Sequence, residues 1–139
     1  MNKSIAHNYT PIGKLLQHMS KLYSTKANDI LAERGHKGLS LAHTALVFNL
    51  DADGTKCTIV TKRAGIKRQS MAELANDLEE RNYVKRIDDP NDKRAQIFVF
   101  TKSGLKFAND AREICELLDK KYEALLGTDA TTKIRSSIS

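Results

Sequence analysis

Residues 58–104, TIVTKRAGIKRQSMAELANDLEERNYVKRIDDPNDKRAQIFVFTKSG, contain the patterns that decide the fold. The stretch opens with Thr58, a residue type that caps helices, before a short helical pattern over about residues 59–64. Gly65 and Ile66 follow as a tight turn, because glycine adopts the backbone geometry that such turns require. The stretch therefore begins with a short helix and a turn.

A longer amphipathic helix is predicted from about Arg68 to Arg81. Its apolar residues recur at steps of three and four, which places them on one buried face. These residues are Met71, Leu74, Ala75 and Leu78. A short helix, a glycine turn and a second helix of this length are typical of a helix-turn-helix.

The hydrophobic pattern then changes to the alternation of a β-strand. Residues 83–88 and 95–101 are rich in β-branched and aromatic side chains and are predicted to be strands. Residues 89–94 between them are polar and contain turn-forming Pro and Asn. A β-hairpin with a charged tip, directly after a helix-turn-helix, is the order of elements in a winged helix.

Long helices are predicted on both sides of this stretch. Thr10 can cap the first, with Pro11 at its first helical position, and a shorter helix capped by Ser40 is expected over about residues 41–50. Thr101 can cap the C-terminal one. Its apolar stripe consists of Leu105, Ala108, Ala111, Cys115, Leu118, Tyr122 and Leu125.

These flanking helices carry more apolar surface than one small core needs. The economical way to cover the excess is a second copy of the chain, packed around a two-fold axis. We therefore expect a mainly α fold with a small β-hairpin wing, in which residues 1–139 form a single winged-helix domain. The long helices, over about residues 10–34 and 102–139, are the expected dimerisation helices, and about residues 55–104 are the expected DNA-binding lobe.

The charge distribution favours a polyanionic partner. The chain of 139 residues has a formal net charge of +6. Residues 57–106 hold 11 Lys/Arg and 7 Asp/Glu, so +4 of that excess falls on about a third of the chain. A basic patch of this kind neutralises phosphates and releases their counterions, which supplies salt-dependent affinity for double-stranded DNA.

The helix over residues 68–81 is the candidate recognition helix, and such helices read bases mainly with their N-terminal turns. Arg68 suits guanine or a phosphate, and Gln69 suits adenine. Ser70 can contact either a base or a phosphate. Glu73 repels phosphate but can accept a hydrogen bond from cytosine. The alternative for all four residues is a solvated polar face.

The hairpin supplies a second set of candidate contacts. Lys93 and Arg94 can reach past the recognition helix, and a narrow minor groove attracts an inserted arginine. Asp92, two residues before Arg94, can pair with a nearby guanidinium and hold the tip in shape. The alternative is an ordinary charged hairpin.

An ordered set of motifs in this stretch resembles the MarR family of bacterial transcription regulators. The motifs are Ala64-Gly-Ile66, Gln69-Ser-Met-Ala-Glu-Leu74, Leu78-Glu-Glu-Arg81, Tyr83-Val84, Arg86, Asp89-Pro-Asn-Asp-Lys-Arg-Ala95 and Thr101-Lys-Ser-Gly104. The chain departs from the family pattern at Lys67, where a capping residue is common, at Glu73, which is often basic, and at Asn82, where Gly is usual.

The resemblance implies a homodimer that puts each recognition helix in a major groove and each wing in the adjacent minor groove. Such proteins mostly repress genes from a pseudo-palindromic operator, and many release DNA when a small, often aromatic, ligand binds. By position, Arg68, Gln69 and Ser70 would contact DNA from the recognition helix. Arg94 would enter the minor groove, with Asp92 as its support.

A regulatory ligand would lie between the DNA-binding lobe and the dimerisation helices. The aromatic and histidine side chains expected near such a cleft are His18, Tyr23, His43 and Phe48. Aromatic residues at helical spacing more often belong to the core, and that reading is the alternative here.

Other chemistry has little support in the sequence. Cys57 and Cys115 leave open a redox or metal sensor on the same scaffold, although both thiols are expected to be buried and structural. The four histidines show no ligand spacing, and there is no nucleophile elbow, phosphate loop or carboxylate pair, so neither an enzyme nor a cofactor is predicted. Glu73 and Glu80 keep open a protein-interaction module that has lost DNA binding. Without an apolar run in residues 1–10 or a membrane span, we expect a cytoplasmic protein.

Overall fold

The computed structural model of the chain describes residues 8–138, so part of the N-terminal segment used in the localisation argument lies outside it. Two helices and a 3₁₀ turn precede the central lobe of residues 55–100, and two helices follow it. In chain order, the elements are α1 (Ile12–Glu33), the 3₁₀ turn (Leu41–His43), α2 (Thr44–Val47), β1 (Thr55–Lys56), α3 (Cys57–Ala64), α4 (Arg68–Glu80), β2 (Val84–Asp89), β3 (Asp92–Phe100), α5 (Lys102–Leu126) and α6 (Thr128–Ile138).

The lobe has the predicted winged-helix order. Helices α3 and α4 are joined at Gly65, whose φ of 64° gives the left-handed turn that the sequence indicated. Strands β2 and β3 pair antiparallel, and β1 adds to the outer side of β3 through the pair Thr55 and Phe98. The predicted fold class, mainly α with a small β wing, is confirmed.

The close approach of the hairpin to α5 depends on Gly104. Thr101 caps α5 as predicted, and its hydroxyl accepts a hydrogen bond from the N–H of Gly104 at 3.0 Å. A Cβ atom built on Gly104 would lie 1.8 Å from the carbonyl oxygen of Tyr83. The first turn of α5 can therefore contact the start of the hairpin only because this residue has no side chain.

Several predicted helix starts were wrong by one or two residues. Helix α1 begins at Ile12 after Pro11, so Thr10 does not cap it. Helix α3 begins at Cys57 rather than after Thr58, because β1 ends immediately before it at Lys56. The predicted helix over residues 41–50 is shorter, since the 3₁₀ turn and α2 together end at Val47.

The wing also differs from the prediction. The strands continue through most of the polar segment and leave only Pro90 and Asn91 as the turn. An irregular register between Asp88 and Asp89 lets the ladder continue to the pair of Asp89 with Asp92. Apart from Asp89, residues 88–94 are exposed to water, so polar side chains can extend the strands here.

The core lies between α4, the sheet, α2, the C-terminal end of α1 and the first two thirds of α5. Leu31, Leu46, Leu78 and Phe107 are among its fully buried side chains. The predicted stripe of α5 mixed two faces of that helix. Phe107 and Ile114 point into the core, whereas Leu105 and Leu125 lie on the exposed side.

Large apolar side chains remain exposed on the long helices. They are Tyr9 and Ile12 near the start of α1, Leu15, Leu16 and Leu22 along it, Leu117, Leu125 and Leu126 on α5, and Ile134 on α6. Within residues 8–138, none of the helices combines the length and the apolar character needed to cross a lipid bilayer.

Candidate nucleic-acid interface

The N-terminal half of α4 presents a row of uncommitted polar side chains. Arg68, Gln69, Ser70 and Glu73 are all exposed. None of them makes a side-chain hydrogen bond to another part of the chain within residues 8–138. Lys67 precedes the helix without a side-chain cap, so the first N–H groups of α4 are left for water or for an anion such as a phosphate.

The C-terminal half of α4 is held against the wing by Arg86. Its Nε donates to Glu79 Oε2 at 3.1 Å, and the Arg86 backbone N–H donates to the same carboxylate oxygen at 3.2 Å. Its Nη2 donates to Asn76 Oδ1, and the guanidinium lies 5.9 Å from the centre of the Phe98 ring. Asn76 and Glu79 therefore have structural partners and are not available to read bases.

The same half of α4 is held from the other side through Asp77. Asp77 Oδ2 is 2.6 Å from Nε2 of His43, and its Oδ1 accepts a hydrogen bond from Nε of Arg81 at 2.8 Å. The hydrogen bond from Arg81 and then the one from His43 lower the pKa of Asp77, so the carboxylate is ionised at neutral pH. The sequence did not predict that His43 and Asp77 act together, because 34 positions separate them.

The wing carries its candidate residues on β3, close to the two-residue turn. Lys93 and Arg94 are exposed on this strand. The carboxylate of Asp92 accepts a hydrogen bond from the backbone N–H of Arg94 at 3.0 Å. Within the described residues Asp92 makes this backbone contact, and the expected pairing with a guanidinium is not made.

The residue that shapes the turn is Asp89, which the sequence analysis missed. It is buried, and its Oδ1 accepts the backbone N–H of Asn91 at 2.9 Å. Its Oδ2 lies 3.5 Å from Nζ of Lys56 on β1. An aspartate two residues before a backbone N–H in an Asp-Pro-Asn sequence is the signal that could have identified this turn.

The predicted ligand-pocket residues lie in different places. Tyr23 lines a groove of about 410 Å³ between α1, α5 and α6, and His18 lines one of about 360 Å³ on α1. His43 lines a groove of about 520 Å³ beside α4, and Phe48 is half exposed and lines none of these three. The Tyr23 hydroxyl donates to Asp119 at 2.7 Å, and burial together with this bond raises the pKa of Tyr23.

Both cysteines are half-buried rather than fully buried. Burial raises the pKa of the Cys57 thiol and of the Cys115 thiol, which keeps them protonated at neutral pH. Because the thiolate is the reactive form, neither has the environment of an activated cysteine. Among the described residues, no three His, Cys, Asp or Glu side chains come together in a group that could hold a metal ion.

The fold and these side chains define the chain as a winged-helix protein, with an exposed polar face at the start of α4 and with Lys93 and Arg94 exposed on the wing. The sequence model of the MarR family matches residues 37–95. This segment contains the helix-turn-helix and most of the wing, and the resemblance to the MarR family is confirmed. No curated protein sequence matches the chain.

Solved structures extend the likeness in fold to nearly the whole chain. A MepR–DNA complex from S. aureus has a TM-score of 0.79 at 16% identity, covering 94% of this chain and 95% of that one. A mutant MarR from E. coli, complexed with operator DNA, has a TM-score of 0.77 at 15% identity, with coverage of 92% and 91%. CouR from Rhodococcus jostii RHA1, bound to p-coumaroyl-CoA, has a TM-score of 0.74 at 22% identity, with coverage of 91% and 88%.

Proposed function

We propose that the chain is a sequence-specific DNA-binding transcriptional regulator, which acts as a homodimer and represses from a pseudo-palindromic operator. The observation that carries the proposal is a contrast within α4. Arg68, Gln69, Ser70 and Glu73 near its N-terminal end are free of side-chain hydrogen bonds within the described residues, whereas Asn76, Asp77 and Glu79 near its C-terminal end are all hydrogen-bonded. Recognition helices use their N-terminal turns to read the major groove. Two related folds were solved with DNA, which supports the same activity here.

The proposed contacts divide by groove. Arg68, Gln69 and Ser70 contact bases or phosphates of the major groove, and Glu73 accepts from a cytosine amino group. Arg94, with Lys93 beside it, enters the adjacent minor groove. Asp92 supports this arginine by fixing the backbone at Arg94.

The proposed dimer uses the exposed apolar side chains of the terminal helices. Leu15, Leu16 and Leu22 on α1, and Leu125 on α5, leave large apolar areas exposed in a single chain. Burying such areas is favourable at roughly 25 cal/mol per Å². In this division, residues 10–34 and 102–139 form the dimer, and residues 55–104 form the DNA-binding lobe of one winged-helix domain in the cytoplasm.

A small aromatic effector is proposed to regulate DNA binding. The groove between α1, α5 and α6 has a volume of about 410 Å³ and is lined by Tyr23, Tyr122, aliphatic and hydroxyl side chains, and the charged Asp119 and Arg135. Its size falls in the range of ligand pockets, roughly 300–1,000 Å³. CouR, a similar fold, was solved with p-coumaroyl-CoA. An effector acts here by binding better to a dimer whose recognition helices no longer fit DNA.

The test is selection of duplexes from a random library with the purified protein at near-physiological salt. The proposal predicts an enriched inverted repeat whose half-sites are about one helical turn, roughly 34 Å, apart. Affinity for this duplex is expected to fall steeply as salt rises. If no duplex is enriched and binding is independent of salt, the proposal is refuted and the protein-interaction alternative is favoured.

The redox alternative is tested with the same duplex. Alkylation of Cys57 and Cys115 should leave the response to effector and the DNA affinity unchanged, because neither thiol is activated. Loss of DNA binding on mild oxidation, prevented by prior alkylation, would favour the redox sensor instead.

A further inference from the structure

A closed ring of hydrogen bonds joins the end of α4 to residues 37–40, the segment that follows α1. His43 is buried, and its Nδ1 accepts the backbone N–H of Ser40 at 3.0 Å. A backbone N–H can only donate, so Nδ1 carries no proton and the single ring proton is on Nε2. That nitrogen donates to Asp77 Oδ2 at 2.6 Å.

Arg81 closes the ring. Its Nε donates to Asp77 Oδ1 at 2.8 Å, and its Nη1 donates to the carbonyl oxygen of Lys37 at 3.3 Å. The guanidinium lies directly over Gly38, where a Cβ atom would come within 2.5 Å of Nη1. Gly38 also has a φ of 84°, so a side chain at this position would both strain the backbone and displace the arginine.

The ring connects α4 with α1. Residues 37–40 follow the end of α1 after three residues, and the N–H of Leu41 donates to the side chain of Asn28 on α1 at 2.8 Å. A movement of α1 therefore reaches the last turns of α4 through one hydrogen-bonded unit. The proposed dimer is formed by α1, so the ring lies between the dimer interface and the recognition helix.

The ring contributes little to stability, but it can control the position of the N-terminal end of α4. The side chains of Asp77 and Arg81 are 35% and 40% exposed, and ion pairs of that kind contribute little to stability. With 13 residues, α4 is about 20 Å long. A tilt of about 10° at its C-terminal end therefore moves its N-terminal end by about 3 Å, which is enough to break hydrogen bonds to bases.

We propose that His43, Asp77 and Arg81 are positioning residues that fix the direction of α4 relative to α1, and thereby set the spacing of the two recognition helices on DNA. This role rests on the proposed function. The groove beside α4, lined by Ala42, His43, Ser70 and Asp77, gives the helix room to tilt when the ring opens.

The test compares Asp77→Ala with Glu80→Ala in the full-length protein. Both remove one negative charge from α4, but Glu80 is exposed and makes no side-chain hydrogen bond within the described residues. The quantity measured is the ratio of affinities for the selected duplex and for a scrambled duplex of equal length. Loss of a negative charge alone raises affinity for both duplexes and leaves the ratio unchanged.

Asp77→Ala is expected to lower this ratio by about tenfold or more, comparable to losing a base contact, without weakening binding to the scrambled duplex. Glu80→Ala should leave the ratio within about twofold. In wild-type protein, the ¹⁵N shifts of His43 should show the tautomer with its proton on Nε2. If Asp77→Ala is unstable at the assay temperature, Arg81→Ala tests the same ring from the protein surface.

Two other outcomes are distinguishable. A high wild-type ratio that Asp77→Ala and Arg81→Ala both preserve would overturn the positioning role and leave the proposed function intact. A wild-type ratio near one would refute the proposed function, and the positioning role with it.

Discussion

The two halves of helix α4 both carry polar side chains, but these side chains have different surroundings. At the N-terminal end, Arg68, Gln69 and Ser70 are exposed and have no hydrogen-bonded partner among the described side chains. At the C-terminal end, Asp77 and Glu79 are each held by an arginine and, in the case of Asp77, by a histidine as well. Contacts with the rest of the protein therefore fix the C-terminal half of the helix, whereas the polar side chains of the N-terminal half are free to contact a partner.

The largest effect is expected from Leu78→Ala. This substitution removes the side chain that packs the C-terminal half of α4, here called the held half, into the core. Leu78 is fully buried, and truncation of such a leucine costs about 2–5 kcal/mol. Urea denaturation followed by circular dichroism measures the free energy of unfolding. Glu80→Ala, on the exposed side of the same helix, should change it by no more than about 0.5 kcal/mol. Equal losses of unfolding free energy in the two variants would contradict the claim that packing of Leu78 holds this half of α4 in place.

Arg94→Ala is expected to weaken binding to the selected duplex by about 1–3 kcal/mol. The guanidinium is exposed and contributes nothing to the core, so the free energy of unfolding and the dimer should be unchanged. Fluorescence anisotropy and sedimentation measure the two properties. Wild-type affinity in the variant would remove the wing from the proposed interface.

Arg86→Ala should affect the held half from the wing side. It removes the side-chain hydrogen bonds to Asn76 and Glu79, keeps the one from the backbone N–H of residue 86 to Glu79, and leaves the N-terminal side chains of α4 untouched. We expect a loss of about 1 kcal/mol in the free energy of unfolding, because the arginine is partly exposed. Arg112→Ala, which breaks an exposed i,i+4 pair with Glu116, is the control and should cost less than about 0.5 kcal/mol. Equal costs would show that the contact with the wing does not hold α4.

The last effect is confined to low pH and concerns acid stability. Burial raises the pKa of Asp110, but hydrogen bonds from Lys106 and His36 outweigh it and lower the pKa to about 2. A carboxylate with a lowered pKa stabilises the fold above its ordinary pKa, near 4, and loses that contribution as the pH falls towards 2. The pKa of Asp77 is also lowered, so ionisation of Asp77 affects stability in the same direction. Asp110→Asn should flatten the dependence of the unfolding free energy on pH in this window, and an unchanged slope would contradict the assignment.

The sequence was sufficient to predict the helix-turn-helix because the signals for it are local. Gly65 and the spacing of Met71, Ala75 and Leu78 predicted the helix-turn-helix, and the structure confirms both. The prediction of the wing was less accurate, since residues 89–94 are polar and a polar segment between strands resembles a loop. Such residues continue a strand only if they pair across the hairpin, and Asp89 pairs with Asp92 in this way.

The site was only partly predictable, because its supporting contacts join distant residues. Gln69 and Arg94 could be proposed from position alone, as they lie on exposed faces that a pattern identifies. His43 was assigned to a ligand cleft, but the structure places its imidazole against Asp77 of α4. No spacing in the sequence indicates a contact across 34 positions.

The most direct test of the account is to repeat the duplex selection with Gln69→Ala and with Glu80→Ala. Both residues lie on the outward face of α4, one at each end of the helix. We expect Gln69→Ala to lose base preference at one symmetric pair of positions in the operator, and Glu80→Ala to select the wild-type sequence. An unchanged operator with Gln69→Ala, or an altered one with Glu80→Ala, would contradict the claim that the N-terminal half of α4 reads DNA.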